Sequence, residues 1–210
     1  MHRLLFTVIL IALPAVFAAA QQSAELSSVE AELADGDFKT RRKALNKLSG
    51  MQDQRKPELL KRAMADKDPE VRERSARLLA KSGDKTAYKT LTDALAAAGD
   101  ETRLPLIDAL GDLGDKRAAK TLGALLSHAD RNTRLKSAEV LGRLKSDDGV
   151  EPLRKAAAED KDELVRKAAV NSLAKTGTAR ARAALNALKA GKDAKTALWA
   201  GNALQTLPKK

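Results

Sequence analysis

The sequence predicts an all-α protein, a right-handed α-solenoid of about five helical hairpins with a cap helix at each end. Two observations carry this expectation. Arg41, Arg72, Arg103, Arg134 and Arg166 recur every 31 or 32 residues, and each is followed seven residues later by a leucine: Leu48, Leu79, Leu110, Leu141 and Leu173. One motif written five times is the signature of a repeat architecture. The second observation is composition. Aromatic residues make up 2% of the 210, and beyond residue 20 they are Phe38, Tyr88 and Trp199. A core of Leu, Ala and Val suits closely packed helices better than sheets, which favour β-branched and aromatic side chains.

Residues 1–20 stand apart from the repeats. Met1-His2-Arg3 is a short basic start, the stretch to Val16 is almost wholly apolar, and Ala18-Ala19-Ala20 offers the small residues a signal peptidase needs. The leader is therefore expected to be cleaved before Gln21. The competing expectation is an uncleaved anchor, for which the apolar run is short. The chain has no cysteine. That excludes a lipid-modified cysteine, a disulfide, a thiolate nucleophile and a cysteine metal site. The expected location is periplasmic or secreted, by bacterial export.

Residues 21–36 carry Glu25, Glu30, Glu32 and Asp35 and no base. They read as an N-terminal cap helix, with Ser28 as N-cap and Val29 and Leu33 on one face. The repeat domain spans 37–210. Its repeats fall near 37–67, 68–98, 99–129, 130–161 and 162–192, and a terminal cap covers 193–210. In the second repeat Asp68 is a good N-cap, because its carboxylate can accept the free N–H groups of the first turn, and Pro69 fits the first helical position. Val71, Ser75, Leu78, Leu79 and Ser82 share a face, Gly83 ends the helix, and Asp84 caps the next one.

The third repeat copies the layout with Thr102, Leu106, Leu110 and Leu113. Pro105 is expected within the first turn, where proline is tolerated. The fourth repeat has Thr133, Ser137, Val140 and Leu141, and the fifth Val165, Ala169 and Leu173. The first is looser, with Thr40, Ala44 and Leu48. After Asp193 the pattern fades: Ala197 replaces the arginine and Leu204 keeps the leucine. Each unit is two antiparallel helices that bury their apolar faces only by stacking on neighbours.

The pattern D-x-x-V/T-R-x-x-S/A-A/V-x-x-L, then G-D and a second helix, resembles HEAT repeats. It is closest to the short bacterial form also found in phycobilisome-lyase-like proteins. Asp68 with Val71-Arg72, Asp130 with Thr133-Arg134, and Asp162 with Val165-Arg166 match best, and the similarity covers 37–207. The resemblance implies that the Asp and Arg are structural, linking successive repeats. It names no activity.

Two roles compete for the arginines. Five planar guanidinium groups on one line could clamp phosphates or carboxylates. An aspartate stands four residues before four of them (Asp37, Asp68, Asp130 and Asp162) and three before Arg103 (Asp100), which favours a structural ladder of paired charges, each arginine with a cap aspartate of its own or an adjacent repeat. Asn46, Arg77, Asp108, Glu139 and Asn171, five residues after each arginine, vary on this constant frame. They are the expected partner-binding positions, on a concave face built from the arginine-bearing helices.

The formal net charge of +11 becomes +10 when Arg3 leaves with the leader. The excess collects in two zones, 37–67 and 162–192. These solubilise the protein or contact an acidic partner, an anionic polymer or a lipid surface. Nucleic acid is disfavoured by the leader, the lack of aromatics for base stacking and the near-neutral middle.

Catalysis finds little support. His128 is the lone histidine once His2 is gone, and it reads as a solvent-facing group at a helix end. Asp147-Asp148 and Asp112/Asp115 read as caps in turns, and Trp199 as a cover for the terminal core. No cofactor or metal motif is present in the sequence. The expectation is an exported, non-enzymatic scaffold for protein–protein interaction. Its rival is a bilin-lyase-like or other enzyme or enzyme subunit.

Overall fold

The computed structural model describes residues 17, 20, 21 and 23–208, so the leader expected over 1–20 lies almost wholly outside the described residues. Among the described residues the regular structure is helical throughout. Helix α1 covers 23–33, followed by α2 (Phe38–Gly50), α3 (Lys56–Ala63), α4 (Pro69–Lys81), α5 (Ala87–Ala96) and α6 (Asp100–Leu113). Then come α7 (Ala118–Leu125), α8 (Arg131–Leu144), a 3-10 turn (Asp147–Gly149), α9 (Val150–Glu159), α10 (Glu163–Thr176), α11 (Ala179–Lys189) and α12 (Ala194–Thr206). The chain divides into two compact units, Met1–Ser75 and Ala76–Lys210, with the boundary inside α4.

In the first unit, α1 is tied to its neighbours by Lys47–Glu32 (2.5 Å) and Arg62–Glu30 (3.2 Å). Leu26, Val29, Leu45, Leu48 and Leu60 are fully buried there. Ser28 is not an N-cap. The helix already runs from residue 23, with the Ser27 hydroxyl donating back to the Ser23 carbonyl at 2.9 Å. Burial of Leu26 one turn before Val29 makes the earlier start favourable.

In the second unit α6, α8, α10 and α12 pack side by side in one layer, and α7, α9 and α11 form the other. The repeat register explains the core. The residues seven after each ladder arginine, Leu48, Leu79, Leu110, Leu141 and Leu173, are 0–1% exposed. So are those four after it: Leu45, Ala76, Ile107, Ala138 and Val170. Each leucine so buried contributes about 1.5–3 kcal/mol of transfer free energy.

The helix starts follow the expected cap chemistry. Asp37 accepts from the Thr40 N–H (3.1 Å), Asp68 from Val71 (3.1 Å), Asp130 from Thr133 (2.7 Å), Asp162 from Leu164 (2.9 Å) and Asp193 from Thr196 (2.9 Å). Gly114 and Gly177 end their helices at φ +70° and +68°, where a Cβ would be strained. The second helices start differently. Asp84 and Asp115 do not cap α5 and α7 directly; they accept the Thr86 and Arg117 N–H groups in turns ahead of those helices. Asp112 is not in a turn at all but inside α6.

Pro105 also departs from expectation. Gly99 is the N-cap of α6, so Pro105 is the sixth helical residue and lies beyond the first turn. It removes the N–H that would bond the Glu101 carbonyl. Pro105→Ala is expected to raise stability by about 1–3 kcal/mol, seen as a higher melting temperature by circular dichroism. A lower one would show that the ring's packing outweighs the lost bond.

The caps also set the response to acid. The Thr133 hydroxyl and backbone N–H hold Asp130 below the ordinary 3.8, and Thr196 does the same for Asp193. A carboxyl depressed on folding stabilises fully above its unfolded value and loses that contribution as pH falls through the folded one. The melting temperature should therefore stay flat from about pH 5 to 8 and fall below about pH 4. A decline beginning near pH 6 would contradict this.

Candidate functional site: the arginine ladder and the varied helix face

Two ladder arginines are forked onto carboxylates at the far end of their own repeats, in the loop that leads to the next cap. Arg41 donates through Nε and Nη2 to Asp66 (2.7 and 2.8 Å) and through Nη1 to the carbonyls of Asp35 and Gly36 (2.9 and 3.1 Å). Arg134 repeats the arrangement with Asp160 (2.7 and 3.1 Å) and the carbonyls of His128 and Ala129 (3.0 and 2.9 Å). Their hydrogen bonds to Asp66 and Asp160 hold both guanidinium pKa values above the ordinary arginine range. The Arg134 and Asp160 side chains are each 5% exposed, so this is a buried pair.

The other three also bond the loop ahead of their helix. Arg72 Nη1 reaches the carbonyls of Asp66 and Lys67, both at 2.9 Å. Arg166 Nη1 reaches the Asp160 carbonyl at 2.9 Å, with Nε 3.9 Å from Asp193. Arg103 bonds the Ala98 carbonyl (2.9 Å) and Asp100 (2.7 Å).

For Arg41 and Arg134 the pairing differs from the expected one. Asp37, Asp68, Asp130 and Asp162 turn their carboxylates to the first turn of their own helices. The acids that hold Arg41 and Arg134 stand two residues ahead of the cap, at Asp66 and Asp160, which also accept the N–H groups of Asp68 and Asp162 at 2.8 Å. Asp35 accepts from Asp37 in the same way at 2.7 Å. Just ahead of the fourth repeat His128 takes this position, its Nδ1 accepting the Asp130 N–H at 3.0 Å. Just ahead of the third repeat Ala97 stands there, and Asp100 serves Arg103 from three residues away.

His128 is half-buried and lines a cleft of about 620 Å³ with Leu126, Arg134, Pro152, Lys155 and Glu159. The volume is in the range of small-molecule sites. Its most buried charges, Arg134 and Asp160, are taken up by one another. Among the described residues no three His, Cys, Asp or Glu side chains gather as metal ligands. No helix among them is long and apolar enough to cross a membrane.

The varied positions lie elsewhere. Asn46 is exposed on α2 in the first unit, and Asn171 is exposed on α10 in the second. Three others meet in one ionic network on α4, α6 and α8. Asp108 receives Lys136 (3.1 Å) and Arg143 (2.8 Å), Arg143 also approaches Asp112 (3.5 Å), Arg77 stands 3.9 Å from Asp112, and Glu139 stands 3.9 Å from Lys136. Sequence reasoning missed Asp112, Lys136 and Arg143. Asp112 and Arg143 had a usable signal, since each stands nine residues after a ladder arginine. Exposed pairs of this kind are worth about 0–1 kcal/mol each, so the network fixes side-chain positions more than it stabilises the fold.

Stacked helical hairpins locked by a loop-bonding arginine define a tandem-repeat protein of the α-solenoid class. The chain belongs to the HEAT repeat family, whose profile matches residues 26–111, 52–138, 97–160 and 119–205. Curated proteins give no match. Among solved structures it is similar to an engineered protein (21% identity, 86% of this chain, 95% of that one, TM-score 0.53). It is also similar to a computationally designed armadillo repeat protein for modular peptide recognition (17%, 87%, 100%, 0.51) and to human deoxyhypusine hydroxylase (15%, 90%, 97%, 0.50). At these identities the similarity is one of fold alone.

Proposed function

We propose that this protein is an exported scaffold that binds a protein partner and has no catalysis of its own. The observation that carries the proposal is the contrast on its first-layer helices. The ladder arginines and register leucines are fixed, while Arg77, Asp108 and Glu139 differ in type yet share one partly exposed network on consecutive helices. Such a surface offers a patterned set of charges for recognition on a rigid frame. The basic start, apolar run and alanine triplet of residues 1–20 support export.

Crosslinking in the native envelope, followed by mass spectrometry, tests the proposal. Wild-type protein should capture a defined partner, and Asp108→Arg combined with Glu139→Arg should lose it with little change in melting temperature. An identical captured set from both proteins would exclude this face. Turnover by the purified protein that disappears in His128→Ala would favour an enzyme.

A second reading has its own observation. Helix α11 carries Arg180, Arg182 and Lys189 and no acid, which suits an anionic polymer or lipid surface. Cosedimentation with anionic vesicles at low salt, abolished at high salt, would support it.

A further inference from the structure

Helix α12 keeps the register of the ladder helices before it. Four residues after the ladder position, Leu45, Ala76, Ile107, Ala138 and Val170 are 0–1% exposed, and seven after it the five leucines are equally buried. Helices α8 and α10, in which these positions are buried, each pack against neighbouring helices of the layer. The same register in α12 reads Ala197, Leu198, Gly201 and Leu204. Here Gly201 and Leu204 are only half-buried, and Leu198 is 63% exposed. Apolar side chains at this register are ordinarily covered by a neighbouring element. Here they are partly exposed.

The face is also shaped. A depression of about 370 Å³ is lined by Lys189, Ala197, Leu198, Gly201, Leu204 and Gln205. A Cβ at Gly201 would meet nothing closer than the Lys189 side chain at 3.9 Å. Gly201 is thus the floor of a hole bounded by the residues three and four before and after it on α12. That is the arrangement which receives one large side chain from a crossing helix.

Charge selects the partner. Residues 178–208 contain Arg180, Arg182, Lys189, Lys192 and Lys195 against one acid, Asp193. Asp193 is committed to the Thr196 N–H, Lys195 to Glu163, and Arg182 to the Pro208 carbonyl. Lys189 and Lys192 make no ion pair among the described residues.

We propose that the free face of α12 docks an amphipathic helix of a partner protein, with one large apolar side chain seated over Gly201 between Leu198 and Leu204 and acidic residues opposite Lys189 and Lys192. The proposal rests on the scaffold reading and adds a second contact, separate from the Asp108 network. It identifies the partner's contacting element as helical, apolar on one stripe and acidic beside it.

The test uses two synthetic amphipathic helices with the same Leu/Ala stripe, one flanked by glutamates and the other by lysines. Binding to the purified chain is followed by anisotropy of a label on the peptide. The glutamate peptide should bind at least tenfold tighter than its lysine twin. Gly201→Leu, which fills the hole, and Leu198→Asn, which removes the apolar rim, should each weaken it at least tenfold. Both sites are on the surface of α12, and unchanged circular dichroism confirms that the variants fold. The proposal is overturned if neither peptide binds, if both bind alike, or if Gly201→Leu binds like wild type. Concentration-dependent dimers that Leu198→Asn abolishes would also overturn it, by assigning the face to a second copy. Envelope crosslinking that still captures a partner lost by the Asp108/Glu139 variant, with no peptide binding, removes this inference and leaves the scaffold reading standing.

Discussion

Arg134→Ala is expected to destabilise the protein by about 3–5 kcal/mol, the range for removing one partner of a buried ion pair. The loss has two parts. Asp160, 5% exposed, keeps its charge with no guanidinium beside it, and the carbonyls of His128 and Ala129 lose their shared donor. For a chain of this length that corresponds to a fall of roughly 10 °C in melting temperature. Arg103→Ala provides the contrast. Its carboxylate partner Asp100 is 93% exposed, so water replaces the guanidinium there and only the Ala98 carbonyl is left wanting. That variant should lose about 1 kcal/mol. Asp160→Ala in the Arg134→Ala background should recover part of the loss, because the stranded charge goes with it. Thermal melts of the three variants at pH 7 check the series. If Arg134→Ala melted within about 2 °C of wild type, the arginine ladder would not be the frame of the repeat, and a ligand-binding role would return.

The ladder also shows what the sequence made legible. The arginines, leucines and cap aspartates recur at one period, so repeat number, helix order and the aspartate-capped starts of the arginine-bearing helices could be read directly. The partners of Arg41 and Arg134 could not. A cap aspartate four residues before an arginine satisfies any argument from charge pairing, and spacing alone does not say that its oxygens are already committed to the first turn. The signal that was available is the doublet Asp35-x-Asp37, Asp66-x-Asp68 and Asp160-x-Asp162, in which one acid caps the helix and the other closes the loop. His128 fits the same grammar, since it replaces the loop-closing acid with a ring nitrogen. It is therefore a structural group of the loop that leads into the fourth repeat, as well as a wall of the adjacent cleft. The Asp108 network was hidden for a different reason. Its members belong to different repeats, and only the stacking of α6 and α8 brings them within reach.

Gly142→Ala is the second large effect, and it runs against helix propensity. Alanine in place of glycine inside a helix normally stabilises by about 1 kcal/mol. At Gly142 a Cβ would stand 2.8 Å from the Cβ and Oγ of Ser172 and 2.9 Å from its Cα. Ser172 is 1% exposed in the middle of α10. Its backbone cannot swing aside, so α8 and α10 must separate. Overpacking of this kind costs about 1–3 kcal/mol for small insertions, and a leucine at the same place should cost more. Gly201→Ala supplies the opposite case, because its Cβ would meet only the flexible end of Lys189 at 3.9 Å. One substitution, made at two helical glycines of the same chain, should therefore lower the melting temperature at Gly142 and raise it at Gly201. An increase at both would mean that α8 and α10 have slack at their crossing. The glycine at 142 would then reflect no packing demand, and the repeat spacing would be set by the arginine loops alone. A decrease at Gly142 that deepens with leucine would place the tightest constraint of the second unit at the α8–α10 contact. The same register in α6, Gly111, meets the flexible guanidinium of Arg143 at 2.5 Å as well as the Val140 side chain at 2.9 Å. It should fall between the two cases.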